Sequence, residues 1–139
     1  MTATDRLEAV LRGAGLRLTA PRLAVLQAIA GAADSVTAQE LHYRMRSGGA
    51  RTGLTTVYRT LSALADAGVL DRFESAGEQS FRLCGAEHHH HLVCVRCGIV
   101  EEVEGAEVEA WVERTAKAKR FRVTSHSADI YGRCRRCAR

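Results

Sequence analysis

Leu54-Thr55-Thr56-Val57-Tyr58-Arg59-Thr60-Leu61 is the stretch on which the fold reading turns. On a helix, Val57, Leu61 and Leu64 share one face, so Arg59 and Ser62 point away from it and Tyr58 sits at the flank. A packed back with Tyr, Arg, Thr and Ser outward suits a DNA major groove. There Arg donates two bonds to guanine, and hydroxyls reach phosphates or bases. Asp66-Ala67-Gly68 ends the segment.

Working outward, three helices precede it. Leu7, Val10, Leu11 and Ala14 recur at helical spacing, with Gly13 and Gly15 ending that run. Thr19 caps a second helix with Pro21 in its first turn, and Leu23, Leu26, Ile29 and Ala30 form its stripe. Thr37 and Glu40 make a capping box for a third, which carries Leu41 and Met45 and stops at Gly48-Gly49. Downstream, Val69–Phe73 and Gln79–Leu83 alternate apolar and polar residues around Ser75-Ala76-Gly77-Glu78, which predicts a β-hairpin. Helices followed by a hairpin is the order of a winged helix-turn-helix. A helical domain that binds protein instead shares the same pattern.

Charge agrees with the DNA reading. The net charge is +4, and residues 1–59 carry 8 Lys/Arg against 4 Asp/Glu. No apolar run approaches the roughly 20 residues of a membrane span, and the N-terminus lacks a basic-then-apolar signal, so a cytoplasmic protein is expected. In that compartment five cysteines are thiols or metal ligands rather than disulfides.

The back half is organised around metal-binding residue types. Cys94-Val95-Arg96-Cys97 and Cys134-Arg135-Arg136-Cys137 are two Cys-x-x-Cys pairs separated by 36 residues. Four thiolates close a tetrahedral zinc shell with no open position, which points to structure rather than catalysis; a redox pair or unligated buried thiols are the competing readings. Between the pairs, Ile99–Val103 reads as a strand, a helix runs from about Glu107 to Lys119, and Phe121–Thr124 and Ala128–Tyr131 read as further strands. A domain this small has an exposed strand edge that invites pairing with a second copy. His88-His89-His90-His91 adds a second metal signal. On a strand, His88 and His90 share one face while His89 and His91 share the other, so one tetrapeptide serves two sites. Imidazole suits zinc, copper, nickel or iron.

Together these motifs resemble the ferric uptake regulator family, specifically its zinc-sensing branch. Leu54–Leu61 is similar to the family's recognition-helix signature. His88–Cys94, Cys97-Gly98 and Cys134-x-x-Cys137 are similar to its metal signatures, and Gly15–Arg22 to its minor-groove segment. The resemblance implies an α+β chain in which a winged helix-turn-helix DNA-binding domain (1–84) leads through a hinge (85–87) to a small α/β zinc-containing dimerisation domain (88–139). It implies structural zinc on Cys94, Cys97, Cys134 and Cys137 and a sensing site of Asp71, Cys84, His89 and His91. A third site would use His88, His90, Glu109 and His126, with Glu107, Glu104 and Glu102 as competitors for the carboxylate. Two or three zinc ions per subunit follow. Tyr58 and Arg59 would read bases with Thr56 beside them, Arg17 would enter the minor groove, and Arg22 would hold a phosphate. The thiolate of Cys84 favours zinc over the iron of iron- or peroxide-sensing relatives. The implied function is a zinc-loaded homodimer that binds an inverted-repeat operator and represses zinc-uptake genes, with no membrane and no small organic substrate involved. The rivals are a zinc hydrolase with Glu87 as base, and a metal-storage or protein-interaction module.

Overall fold

Threonine side chains start the first three helices of the computed structural model, which describes residues 1–85 and 88–139. Helix α1 (Ala3–Gly13) opens on a capping box between Thr2 and Asp5. In α2 (Ala20–Ala30) the Arg22 amide donates to Thr19 Oγ1 at 3.3 Å. Strand β1 (Val36–Thr37) runs directly into α3 (Ala38–Ser47), where Glu40 N donates to Thr37 Oγ1 at 3.1 Å and Thr37 N to the Glu40 carboxylate. These caps satisfy amides that a helix start leaves without partners. Helix α4 (Leu54–Asp66) follows, then β2 (Asp71–Ser75) and β3 (Glu78–Arg82). The three strands form an antiparallel sheet ordered β1-β3-β2.

The hairpin turn is tighter than the sequence pattern implies. Ser75 pairs with Glu78, leaving only Ala76 and Gly77 between the strands, both with positive φ (53° and 77°). A two-residue turn of this hand matches the twist of the strands. Glycine meets that requirement easily; Ala76 meets it under mild strain.

Contacts divide the chain into two units, Met1–Ala86 and Glu87–Arg139. The first has a continuous apolar core of Leu11, Val25, Leu26, Ile29, Val36, Leu41, Val57, Leu61, Leu64 and Phe81, each at most 1% exposed. Two stripe assignments differ from expectation. Val25 is buried in α2 while Ala30 is exposed, and Thr60 packs inward with Val57 and Leu61.

The second unit contains β4 (His90–Cys94), β5 (Val100–Val103), α5 (Ala106–Lys119) and β6 (Asp129–Gly132). Its sheet is ordered β5-β4-β6, with β5 antiparallel and β6 parallel to the central strand. The expected strand over Phe121–Thr124 does not form within the chain. Phe121 and Val123 are 76% and 45% exposed, and that segment lacks a backbone ladder among the described residues. Alternation of apolar residues makes a strand only where another strand supplies hydrogen bonds. The buried apolar core of this unit is small, Val93, Cys94 and Val100, alongside the imidazoles of His90 and His91. No helix is long and apolar enough to cross a membrane among the described residues.

Candidate metal centres and nucleic-acid face

The parallel pairing of β4 and β6 sets Cys94 opposite Gly132, so both Cys-x-x-Cys turns leave the same end of the sheet. The four sulfurs lie within 4.8 Å of one another. Zinc at about 2.3 Å from each sulfur needs them about 3.8 Å apart. Cys97 and Cys134 already stand at 3.7 Å. Backbone amides prepare the charge. The Cys134 N–H donates to Cys94 Sγ at 3.4 Å, and this bond, with others from Cys97 and Arg96, brings Cys94 down to about 6. Cys134 is lowered too, chiefly by the backbone at Cys137. Cys137 is instead pushed up to about 12, first by hydrogen bonding to Cys134, so thiolates and thiols share protons that a divalent cation would displace. The donor set fits zinc.

A second cluster forms around Glu109 in the first turn of α5. His88 Nε2 lies 3.0 Å from Glu109 Oε1 and 3.1 Å from His126 Nε2, and His126 lies 3.0 Å from the same oxygen. His90 Nε2 completes the group. Contacts with His126, then His90, draw the Glu109 carboxyl down to about 2. The carboxylate among these histidines is therefore Glu109, while Glu102 approaches His89 instead, at 3.7 Å. Converging nitrogen and oxygen donors of this kind fit a borderline divalent cation. A residue the sequence reading passed over shapes the cluster. A Cβ on Gly105 would stand 2.7 Å from His90 Cδ2, so only glycine lets that buried ring lie against the start of α5.

The alternate histidines face the other way. His89 and His91 rings sit 4.5 Å apart, and His91 is buried with its Nδ1 2.8 Å from Asp129 Oδ1. In the first unit, Asp71 pairs across the wing with Arg82, two residues before Cys84. Arg82 Nη1 donates to Cys84 Sγ at 3.4 Å. Burial first, then the hydrogen bond to Asp71, pushes the Cys84 thiol up to about 12. Each unit thus carries two of the four expected sensing donors. Part of the expected hinge 85–87, residues 86 and 87, lies outside the described residues, as does Glu87 as a candidate base.

On α4, Thr56, Tyr58 and Arg59 are exposed while Val57, Thr60, Leu61 and Leu64 anchor the opposite side. Ser62 is half-buried and its carbonyl accepts from Arg72 at 3.3 Å. Arg17 is exposed, and Arg22 donates to its carbonyl at 2.9 Å, so Arg22 braces the segment that presents Arg17.

The model of the ferric uptake regulator family matches residues 13–131. The chain belongs to that family. Family membership makes it a DNA-binding transcriptional regulator rather than an enzyme. The chain is 42% identical over 128 residues to a zinc uptake regulation protein of Mycobacterium tuberculosis, covering 91% of this chain and 98% of the relative. It is 38% identical over 129 residues to a ferric uptake regulation protein of Legionella pneumophila, covering 91% and 95%. The Vibrio cholerae ferric uptake regulator, solved with its DNA-binding domains rearranged, matches with a TM-score of 0.75 and 35% identity over 91% of this chain and 98% of that one. The mixed helix-and-sheet fold of the family member is the expected one.

Proposed function

We propose that the chain is a zinc-responsive repressor of zinc-uptake genes, acting in the cytoplasm as a homodimer on an inverted-repeat operator. Its domains are 1–84 and 88–139, joined at 85–87. Zinc on Cys94, Cys97, Cys134 and Cys137 holds the second domain together. A regulatory ion is held by Asp71 and Cys84 from the first domain and His89 and His91 from the second. His88, His90, Glu109 and His126 hold a third, giving two or three ions per subunit. The relative in M. tuberculosis is named for zinc uptake, which supports the choice of metal.

The observation that carries the reading is the thiol of Cys84 beside Asp71, only five residues along the chain from His89. A thiolate among two imidazoles and a carboxylate is a four-donor set suited to zinc. An ion bound by donors from both domains ties them together and fixes the spacing of paired α4 helices over two half-sites. Metal and DNA then strengthen each other by about 1–3 kcal/mol. Dimerisation is supported by α5, whose side chains are not buried among the described residues, and by exposed Trp111, Phe121, Val123 and Ile130.

A second reading, iron sensing, draws on the all nitrogen-and-oxygen set around Glu109. Titrating zinc, iron(II) and manganese(II) separately against binding to an inverted-repeat duplex, with metal per subunit counted, separates the two. Zinc is expected to act at the lowest free concentration. Activation by iron(II) alone would overturn the zinc reading.

A further inference from the structure

Two adjacent histidines on β4 have different support behind their rings. His91 is 6% exposed, and the parallel register of β4 with β6 places Asp129 directly opposite it. Their side chains meet, His91 Nδ1 to Asp129 Oδ1 at 2.8 Å. Next to it, His90 faces the other way and is equally buried, yet its Nδ1 has no hydrogen-bond partner among the described residues. A carboxylate on one ring nitrogen fixes three properties of the other: the tautomer, the ring orientation and the basicity of the lone pair offered to a metal.

We infer that Asp129 is a positioning residue for the sensing ion, holding His91 as the Nδ1–H tautomer so that Nε2 is the ligating nitrogen. The inference rests on the proposed sensing role of His91. It deepens that role by making the two metal positions unequal, because His91 is braced by a charged acceptor and His90 is not. Asp129 keeps a quarter of its side-chain surface exposed, so it reaches His91 without being fully withdrawn from water. Parallel pairing supplies this contact. Asp129 lies 38 residues beyond His91, and only β6 returning beside β4 brings them together.

The test uses full-length protein and the variants Asp129→Ala and Asp129→Asn. Long-range proton–nitrogen correlation on protein carrying only its four-cysteine zinc is expected to show His91 as the Nδ1–H tautomer in wild type and to lose that preference in Asp129→Ala. Zinc competition against a chelator is expected to show sensing-site affinity falling by about 10–100-fold in Asp129→Ala and less in Asp129→Asn, whose amide oxygen still accepts the proton without the charge. Zinc on the four cysteines and on the His90 side should stay unchanged, which reports an intact fold. An Nε2–H tautomer in wild type, or undiminished affinity in a folded Asp129→Ala, overturns the inference; if that variant does not fold, Asp129→Asn and the wild-type tautomer decide. Cys84→Ser separates the two levels. If it removes no ion from wild type, the sensing site itself fails and takes this inference with it. If it removes an ion whose affinity ignores Asp129, the inference alone fails.

Discussion

The two units reach order by different means. In the first, eleven apolar side chains from four helices and the sheet are each at most 1% exposed among the described residues, and hydroxyl caps close three of the helix starts. In the second, three small buried side chains sit beside two buried imidazoles, four clustered sulfurs and a carboxylate ringed by histidines. One half is held by excluded water, while the other gathers side chains of the kind that hold a cation. On the proposed function, such a division lets the first unit stay folded whatever the metal supply while the second responds to it.

The sharpest way to break that contrast is to remove metal. Chelation, or Cys137→Ser, is expected to unfold residues 88–139 and leave the first unit folded, visible as collapse of only the second unit's amide dispersion in NMR. A second unit that stays folded without metal would erase the distinction. Leu61→Ala, at a fully buried position in the apolar core, is expected to cost about 2–5 kcal/mol in denaturant unfolding of the first unit. Metal content per subunit should not change. Arg59→Ala should weaken operator binding by about 1–3 kcal/mol and relax base preference, measured by anisotropy on matched and mutated duplexes.

Smaller effects sharpen the contrast within the second unit. A methyl at Gly105 must push the buried His90 ring, so Gly105→Ala is expected to lower zinc affinity at the Glu109 cluster about tenfold while the four-cysteine zinc stays bound. Protons give a last handle. With the Cys84 thiol pushed up to about 12, it holds its proton at neutral pH, and zinc must displace it. Affinity at the sensing position should therefore rise with pH, about tenfold per unit between about pH 7 and 8.5, while a pH-independent affinity would remove Cys84 from the ligand set.

The first unit was legible in the sequence because its signals are local. Thr19, Thr37 and Glu40 cap where they stand, and the Val57, Leu61, Leu64 face is a matter of helical period. The error at Phe121–Thr124 is of another kind, since alternation reveals which side chains are apolar but not where the partner strand lies. Histidine alternation predicted which rings share a face, and the ring contacts set His88 with His90 and His89 with His91, although β4 itself begins at His90. Its period of two survives any packing. Asp129 and Gly105 carried no signal, because their contacts depend on the parallel return of β6 and on the closeness of α5 to His90. Glu107, Glu104 and Glu102 competed with Glu109 for the carboxylate in the sequence, and the structure sets Glu109 among the imidazoles.

The central claim concerns Cys84, and operator binding against zinc tests it most directly. Wild type and Cys84→Ser are titrated with zinc on the same inverted-repeat duplex while ions per subunit are counted. The account predicts that wild-type affinity climbs as the sensing ion binds, and that Cys84→Ser remains a folded dimer with its four-cysteine zinc yet stays unresponsive. Equal zinc response in the two proteins, or wild-type binding at full strength before that ion enters, would contradict it.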